Sequence, residues 1–375
     1  MKLYKLALAA AFLPLLASCA PEQNAAQADA AGATSKNPVI QRAEQGDAAA
    51  QVALGIAYWT GEGEAQDYAQ AVNWFRKAAE QGNAAAQDSL GLAYVLGEGV
   101  PQDYAQGVNW FRKAAQQGDA QAHRHLGIAY VSGRGVPQDH AQGLNWFLKA
   151  AELGDVKAQT TLGTAYWDGE GVPQDYAKAV NWYRKAADQG DDDAQFRLAY
   201  AYTSGTGVPQ DYAQAVNWYR KAAEQDNVGA QFVLGTIYKN GEKQPKDLAQ
   251  AANWYRKAAE QGYAPAQVML GDFYNDGTGV PQDYVQAGHW FGKAAEQGES
   301  YAQFMLSKLY GGGLGLPQDF VLAYAWSNLA AAQGNDRALP FRKALESRLS
   351  PTQLDEAQRL SSNWKEGQSI QRETQ

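Results

Sequence analysis

The sequence predicts an all-α protein, a solenoid of eight 36-residue helix-turn-helix repeats with helical caps. Aspartates beginning with Asp67, tyrosines beginning with Tyr58 and one tryptophan per copy all recur with a step of 36 residues. The tryptophans are Trp74, Trp110, Trp146, Trp182, Trp218, Trp254, Trp290 and Trp326. No insertion interrupts the register between Asp47 and Gly334. Because one helical pair cannot bury its own apolar stripe and stacked pairs can, this period predicts a stack.

Each copy reads as two helices. In the first copy, Asp47 precedes an apolar stripe through Leu54 at helical spacing, which predicts a first helix with Asp47 as its N-cap. The position of Gly61 is glycine in all eight copies, so we expect a left-handed turn where that helix ends. Asp67 then caps a second helix, and Gly82 stands where a glycine commonly follows a helix.

The two ends of the stack need covers because a terminal repeat has no neighbour on one side. Residues 38–46 read as the last part of a second helix, so the solenoid is predicted over residues 38–334, with the repeats in 47–334. Residues 335–375 leave the register and are predicted to form capping helices and a tail. Ser350 followed by Pro351 predicts the start of one such helix.

Residues 1–18 have the pattern of a secretory signal peptide, with an apolar run too short to span a bilayer. The run ends in "LASC", which resembles the lipobox of bacterial lipoproteins; an ordinary secretory cleavage beside a chance cysteine is the alternative. In lipoproteins this cysteine is acylated, and Cys19 is the only cysteine in the chain. We therefore expect Cys19 to be lipidated and to anchor the chain in a membrane.

The next residue, Ala20, is not the aspartate that resembles an inner-membrane retention signal. The expected location is therefore the bacterial outer membrane, with the protein facing the periplasm, although display on the cell surface stays open. Residues 19–37 contain no aromatic or large aliphatic side chain, so we expect a disordered tether.

The chain is acidic, with a formal net charge of −8, and its lysines and arginines form no cluster. Such a protein is a poor candidate for binding nucleic acid. With Cys19 the only cysteine, no disulfide can form within the chain, so stability has to come from packing. We expect no cofactor and a monomer.

The repeated pattern "AxxxLGxxYxxGxGVPQDYxxAxxWxxKAAxQG" resembles the Sel1-like repeat (SLR) family, relatives of the tetratricopeptide repeats. The resemblance covers residues 47–334 without gaps and implies a right-handed α/α solenoid, or superhelix, that binds other macromolecules as a non-catalytic protein-protein interaction scaffold. It also implies two alternatives. Some lipoprotein members are immunity proteins against type VI secretion lipase effectors, and a cysteine-rich branch has been described as β-lactamases, but the paired cysteines of that branch are absent here.

The candidate partner-binding residues are those that change between copies on the first helices, at positions equivalent to Ile56 and Trp59. They point away from the Leu54 stripe, and related solenoids use this side as their concave surface. The apolar members form the predicted groove: Ile56, Trp59, Leu92, Val95, Ile128, Val131, Trp167 and Tyr200. Aromatic anchors in a concavity are typical of interface hot spots. The alternative is that these side chains pack neighbouring repeats.

The sequence gives little support for catalysis. The four histidines, His123, His125, His140 and His289, show no spacing that suits a shared metal site. A Ser-x-x-Lys match at Ser362 has no accompanying SDN or KTG motif, so an enzyme is not expected.

Overall fold

The computed structural model describes residues 38–241, 245–370 and 372, and these residues form 19 α-helices and no strand. The predicted signal peptide, Cys19 and the predicted tether all lie outside the described residues. The helices belong to two compact units, which divide between Asp175 and Tyr176. No helix of the described residues is both long enough and apolar enough to span a bilayer.

The N-terminal unit begins with a short helix and continues with the first three repeats and the first helix of the fourth. In the first three repeats each first helix packs against the second helix of its own repeat, which in turn packs against the next first helix. The helices are α1 (Pro38–Glu44), α2 (Ala48–Thr60), α3 (Tyr68–Glu80), α4 (Ala84–Leu96), α5 (Tyr104–Gln116), α6 (Ala120–Ser132), α7 (His140–Glu152) and α8 (Val156–Asp168).

The C-terminal unit has the same pairwise packing and ends in two helices outside the repeat register. Both units are therefore α/α solenoids, as predicted. The helices are α9 (Tyr176–Asp188), α10 (Asp192–Ser204), α11 (Tyr212–Glu224), α12 (Val228–Asn240), α13 (Leu248–Glu260), α14 (Ala264–Asp276), α15 (Tyr284–Glu296), α16 (Ser300–Gly312), α17 (Phe320–Ala332), α18 (Ala338–Glu346) and α19 (Pro351–Asn363).

The local signals at the helix ends are confirmed. Asp47 accepts a hydrogen bond from the amide of Ala50 through its side chain, and Asp67 caps α3 in the same way. Gly61 has φ +78, and the equivalent glycine of every copy is also left-handed. Ser350 forms a capping box with Gln353 at the start of α19.

The junction between repeats is a single shared residue. Gly82 is left-handed, its amide donates to Ala79 O, and the amide of Asn83 donates to Ala78 O, which closes α3 as a Schellman motif. Asn83 also caps α4, since its side chain accepts from the amide of Ala86. One residue therefore ends one helix and begins the next.

The two helices of a repeat approach closely at a small residue in the first helix. A Cβ atom placed on Gly55 would lie 2.6 Å from the ring of Phe75, which explains why this position tolerates only small residues. In the eighth repeat the small residue is Ser307, and its facing position is Ser327 instead of an aromatic residue. In the eighth repeat, both residues of this contact between the two helices are therefore replaced.

A column of buried glutamines was not predicted. Its first member, Gln51, donates from Nε2 to Ala43 O at 3.1 Å and accepts at Oε1 from Gln81 Nε2 at 2.8 Å. The third repeat has His123 at this position and Leu153 in place of the second glutamine. The buried glutamines are Gln51, Gln87, Gln159, Gln195, Gln231, Gln267 and Gln303. Each donates to a carbonyl at the end of the preceding helix, so the column ties successive helices together.

Candidate partner-binding surface

The predicted groove residues lie on α2, α4, α6, α8 and α10, and their exposure differs widely. Trp59 is only 8 % exposed, and its ring packs edge-to-face on Tyr68 with centroids 5.0 Å apart and also contacts Phe75. Trp59 is therefore part of the core between α2 and α3. Its proposed role as an exposed anchor does not agree with this position.

Leu92 and Val131 are also buried. A Cβ atom on Gly143 would come within 2.5 Å of Val131 Cγ2, and one on Gly107 within 2.7 Å of Val95 Cγ2. The valines therefore fill space beside a glycine in the second helix of their own repeat. We correct the prediction for Trp59, Leu92 and Val131, because they pack within the solenoid and offer a partner little surface.

Five of the predicted residues keep accessible surface. Ile56, Val95, Ile128 and Trp167 are half-buried, and Tyr200 is 52 % exposed. Of the two tryptophans in the predicted groove, only Trp167 reaches the surface. The accessible part of the predicted groove is thus smaller than expected, and Tyr200 is its most exposed aromatic residue.

A buried charged cluster lies behind this surface in the N-terminal unit. His125 Nδ1 donates to Asp88 Oδ1 at 2.7 Å, and Arg124 Nε donates to Asp155 Oδ2 at 3.0 Å. Asp88, Arg124 and His125 are buried, and the side chain of Asp155 is 8 % exposed. Burial and the neighbouring Asp88 carboxylate raise the pKa of Asp119 above its ordinary value. These ion pairs join consecutive first helices, which is a structural role.

His125 also lines a small cavity with Val95, Phe111 and Ile128. Its Nε2 atom is buried and has no hydrogen-bond partner among the described residues. The cavity volume is about 20 Å³, which is enough for one water molecule and too little for a ligand.

The in-register tryptophans of the second helices were predicted to belong to the core. Trp254, Trp290 and Trp326 are buried, whereas the five earlier ones are half-buried. A lysine three residues later lies over the ring in seven copies, as in Lys113 Nζ at 3.7 Å from the centroid of Trp110. The lysine covers the exposed side of the indole, so this row offers little open ring surface for stacking a sugar.

A larger cavity lies in the C-terminal unit between α16, α17 and α18, and we call it the cap pocket. Its volume is about 440 Å³, and its lining includes Lys308 and Gly311, the equivalents of Ile56 and Trp59 in the eighth repeat. Phe341, Ala344 and Leu345 of α18 form one wall of the pocket, and a pattern of residue types within the repeats does not reveal such a space.

The described residues bring together no group of three or more His, Cys, Asp or Glu that could hold a metal ion. Ser362 and Lys365 are both exposed, and no hydrogen bond joins them. The arrangement that remains is a stack of helical pairs with variable side chains on the first helices. That arrangement defines a solenoid repeat protein.

Comparison of the sequence with known protein families identifies the family. The Sel1 repeat model matches eight consecutive segments that cover residues 48–335, so the chain belongs to the Sel1 repeat family. This family is generally a non-catalytic fold that mediates protein-protein interaction. No curated protein matches the chain.

Two solved structures are similar over most of their length. A Sel1 repeat protein from Oxalobacter formigenes is 37 % identical, with a TM-score of 0.59 over 82 % of this chain and 89 % of that one. The second is c5321, a protective antigen present in uropathogenic Escherichia coli strains that displays an SLR fold. It is 35 % identical, with a TM-score of 0.57 over 87 % of this chain and 85 % of that one.

Proposed function

We propose that this chain is a lipid-anchored, periplasm-facing adaptor that catalyses no reaction and holds a protein partner on the surface of its first helices. The observation that carries the proposal is the contrast between two sets of positions. The capping aspartates and the buried glutamines recur from copy to copy, whereas the equivalents of Ile56, which keep accessible surface in seven of the eight repeats, change from apolar to polar and charged residues. Variation on one surface of a constant scaffold suits recognition of a specific partner.

The exposed aromatic residue on this surface gives the proposal a precise test. Tyrosine and tryptophan are enriched at the centres of protein interfaces, and Tyr200 of α10 is the most exposed aromatic residue of the predicted set. A photo-crosslinking phenylalanine analogue at Tyr200 should capture one defined protein in the native envelope. The matched control is Asn217, an exposed residue on the second helix of the same repeat.

Capture at Tyr200 and not at Asn217 supports the proposal. Equal capture at both positions, or capture at neither, contradicts it.

The anchor is tested separately. Replacing Cys19 by serine should abolish incorporation of labelled fatty acid and release the protein from the membrane fraction, because the chain has no other cysteine. Unchanged membrane association after Cys19→Ser would refute lipid anchoring. Absence of nitrocefin hydrolysis, with Ser362→Ala as the comparison, is expected of a protein without catalytic activity.

A further inference from the structure

The cap pocket interrupts the regular packing of the C-terminal unit. Six of its lining residues matter here: Lys308 and Gly311 of α16, Leu314 of the following turn, Phe320 of α17, Phe341 of α18 and Arg348 just after α18. The volume of about 440 Å³ falls within the range of about 300–1,000 Å³ that is typical of ligand-binding pockets. Its walls are apolar, and Leu314 is 41 % exposed at its edge.

The pocket borders a position at which the eighth repeat has a glycine and every other repeat has a side chain, and a Cβ atom on Gly311 would lie 3.2 Å from Phe341 Cζ of α18. Gly311 is equivalent to Trp59, Val95 and Val131, which fill the corresponding space in their own repeats. Neither Gly311 nor Gly312 has a positive φ, so the backbone does not require glycine at either position. Glycine destabilises a helix relative to alanine. Two consecutive glycines therefore lower the stability of this helix and leave the backbone without side chains at both positions.

Two cations border this apolar space. The guanidinium of Arg348 lies 5.8 Å from the ring centroid of Phe320, and Lys308 Nζ lies 5.9 Å from that of Phe304. Within the described part of the chain, neither cation has a carboxylate within ion-pair distance. The acidic groups beside the pocket have other partners. Asp319 pairs with Arg372 at 2.9 Å, and Glu346 accepts from the hydroxyl of Tyr324 at 3.4 Å.

We propose that the cap pocket binds an acidic segment of a partner protein through one large apolar side chain. The apolar side chain would occupy the cavity lined by Leu314, Phe320 and Phe341, and flanking carboxylates would pair with Lys308 and Arg348. Charge complementarity supports this occupant, because two unpaired cations beside an apolar cavity stand out in a chain of net charge −8. The pocket also continues the first-helix surface of the proposed function, on which this inference rests.

The test is a binding titration on the purified full chain with a fluorescent peptide, Asp-Asp-Phe-Asp-Asp, followed by polarisation. We expect saturable binding that weakens with added salt and that is at least tenfold weaker when the flanking residues are lysine. The double substitution Lys308→Glu with Arg348→Glu should weaken binding at least tenfold. Ala344→Trp should do the same by filling the pocket, because Ala344 is an exposed helical residue on its wall.

The matched control is the double substitution Lys343→Glu with Arg359→Glu, which makes the same charge change at two exposed residues outside the pocket lining. It should keep the peptide affinity within twofold of the unaltered chain. Circular dichroism of each variant verifies the fold. Absence of saturable peptide binding, or equal losses in the control and the pocket variants, overturns the proposal.

A labelled 16-carbon fatty acid forms the second arm of the titration. If it binds in this pocket and displaces the peptide at lower concentration, the occupant is a lipid and the proposal is wrong. Partner capture at Tyr200 in the absence of peptide binding would refute this inference alone. Failure of capture at Tyr200 together with peptide binding here would refute only the proposed use of the Tyr200 surface.

Discussion

The glycine in the middle of α14 lies directly against an aromatic ring of α15. A Cβ atom on Gly271 would be 2.7 Å from both Cδ1 and Cε1 of Phe291, and the ring is fully buried. Gly271→Ala therefore forces either the ring or the two helices to move, at a cost of about 1–3 kcal/mol for overpacking. The higher helix propensity of alanine returns up to about 1 kcal/mol. We expect a net loss of about 1–2 kcal/mol.

Gly292, which follows Phe291 in the sequence, provides the control. Gly292 is also in the middle of a helix, but a Cβ atom there would meet nothing within 4 Å. Gly292→Ala keeps the gain in helix propensity and has no steric cost. It should stabilise the protein by about 0.5–1 kcal/mol.

Urea unfolding followed by circular dichroism measures both variants against the unaltered chain, and the slopes verify that the unfolding reaction is comparable. The two midpoints should shift in opposite directions. If Gly271→Ala is as stable as Gly292→Ala, the helices are not held at the close separation described above, and the packing argument for this column of small residues fails.

Three further substitutions test the capping, hydrogen-bonding and electrostatic arguments. Glu299 begins α16 without a side-chain cap, so Glu299→Asp should raise the unfolding free energy by about 1 kcal/mol in urea titrations. Gln231→Met removes two hydrogen bonds donated by a fully buried amide, so the free energy of unfolding should fall by about 2 kcal/mol and the melting temperature should fall with it. Gln261 is the partly exposed hydrogen-bond partner of Gln231, and Gln261→Met should cost less than half as much. Asp119→Asn keeps an N-cap residue. Because the pKa of Asp119 is raised in the folded state, its charged carboxylate destabilises the fold at pH values above that pKa, so the variant should be more stable at pH 7. That gain should disappear at a pH below the ordinary aspartate pKa, where both states are protonated; equal effects at pH 7 and pH 3 would contradict this explanation.

The sequence predicted those parts of the fold that depend on local signals repeated many times. Asp67 and Gly61 each specify a helix end through their own chemistry, so eight copies identify the turns and the helical pairs without any knowledge of packing. The need for a small residue at Gly55 was also visible, because the copies allow only Gly, Ala or Ser there. Its partner, Phe75, is revealed only by the structure.

The predicted surface was less accurate because a helical-wheel angle gives the direction of a side chain but not the distance to the facing helix. Trp59 and Val131 point away from the Leu54 stripe, yet each meets the second helix of its own repeat. The signal that could have corrected this was the presence of Gly143 opposite Val131. The cap pocket had no such signal, because one of its walls is α18, which lies outside the repeat register.

The double role of Asn83 limits how a chain of this kind can change in length. Because the residue that closes one pair also opens the following pair, no spare linker exists between copies where extra residues could be accommodated. Gain or loss of a complete 36-residue unit preserves the caps at each junction, whereas extra residues inserted at a junction would separate the glycine that ends one helix from the residue that caps the next. Recombination between copies can therefore lengthen or shorten the binding surface in one step without redesign of a single junction.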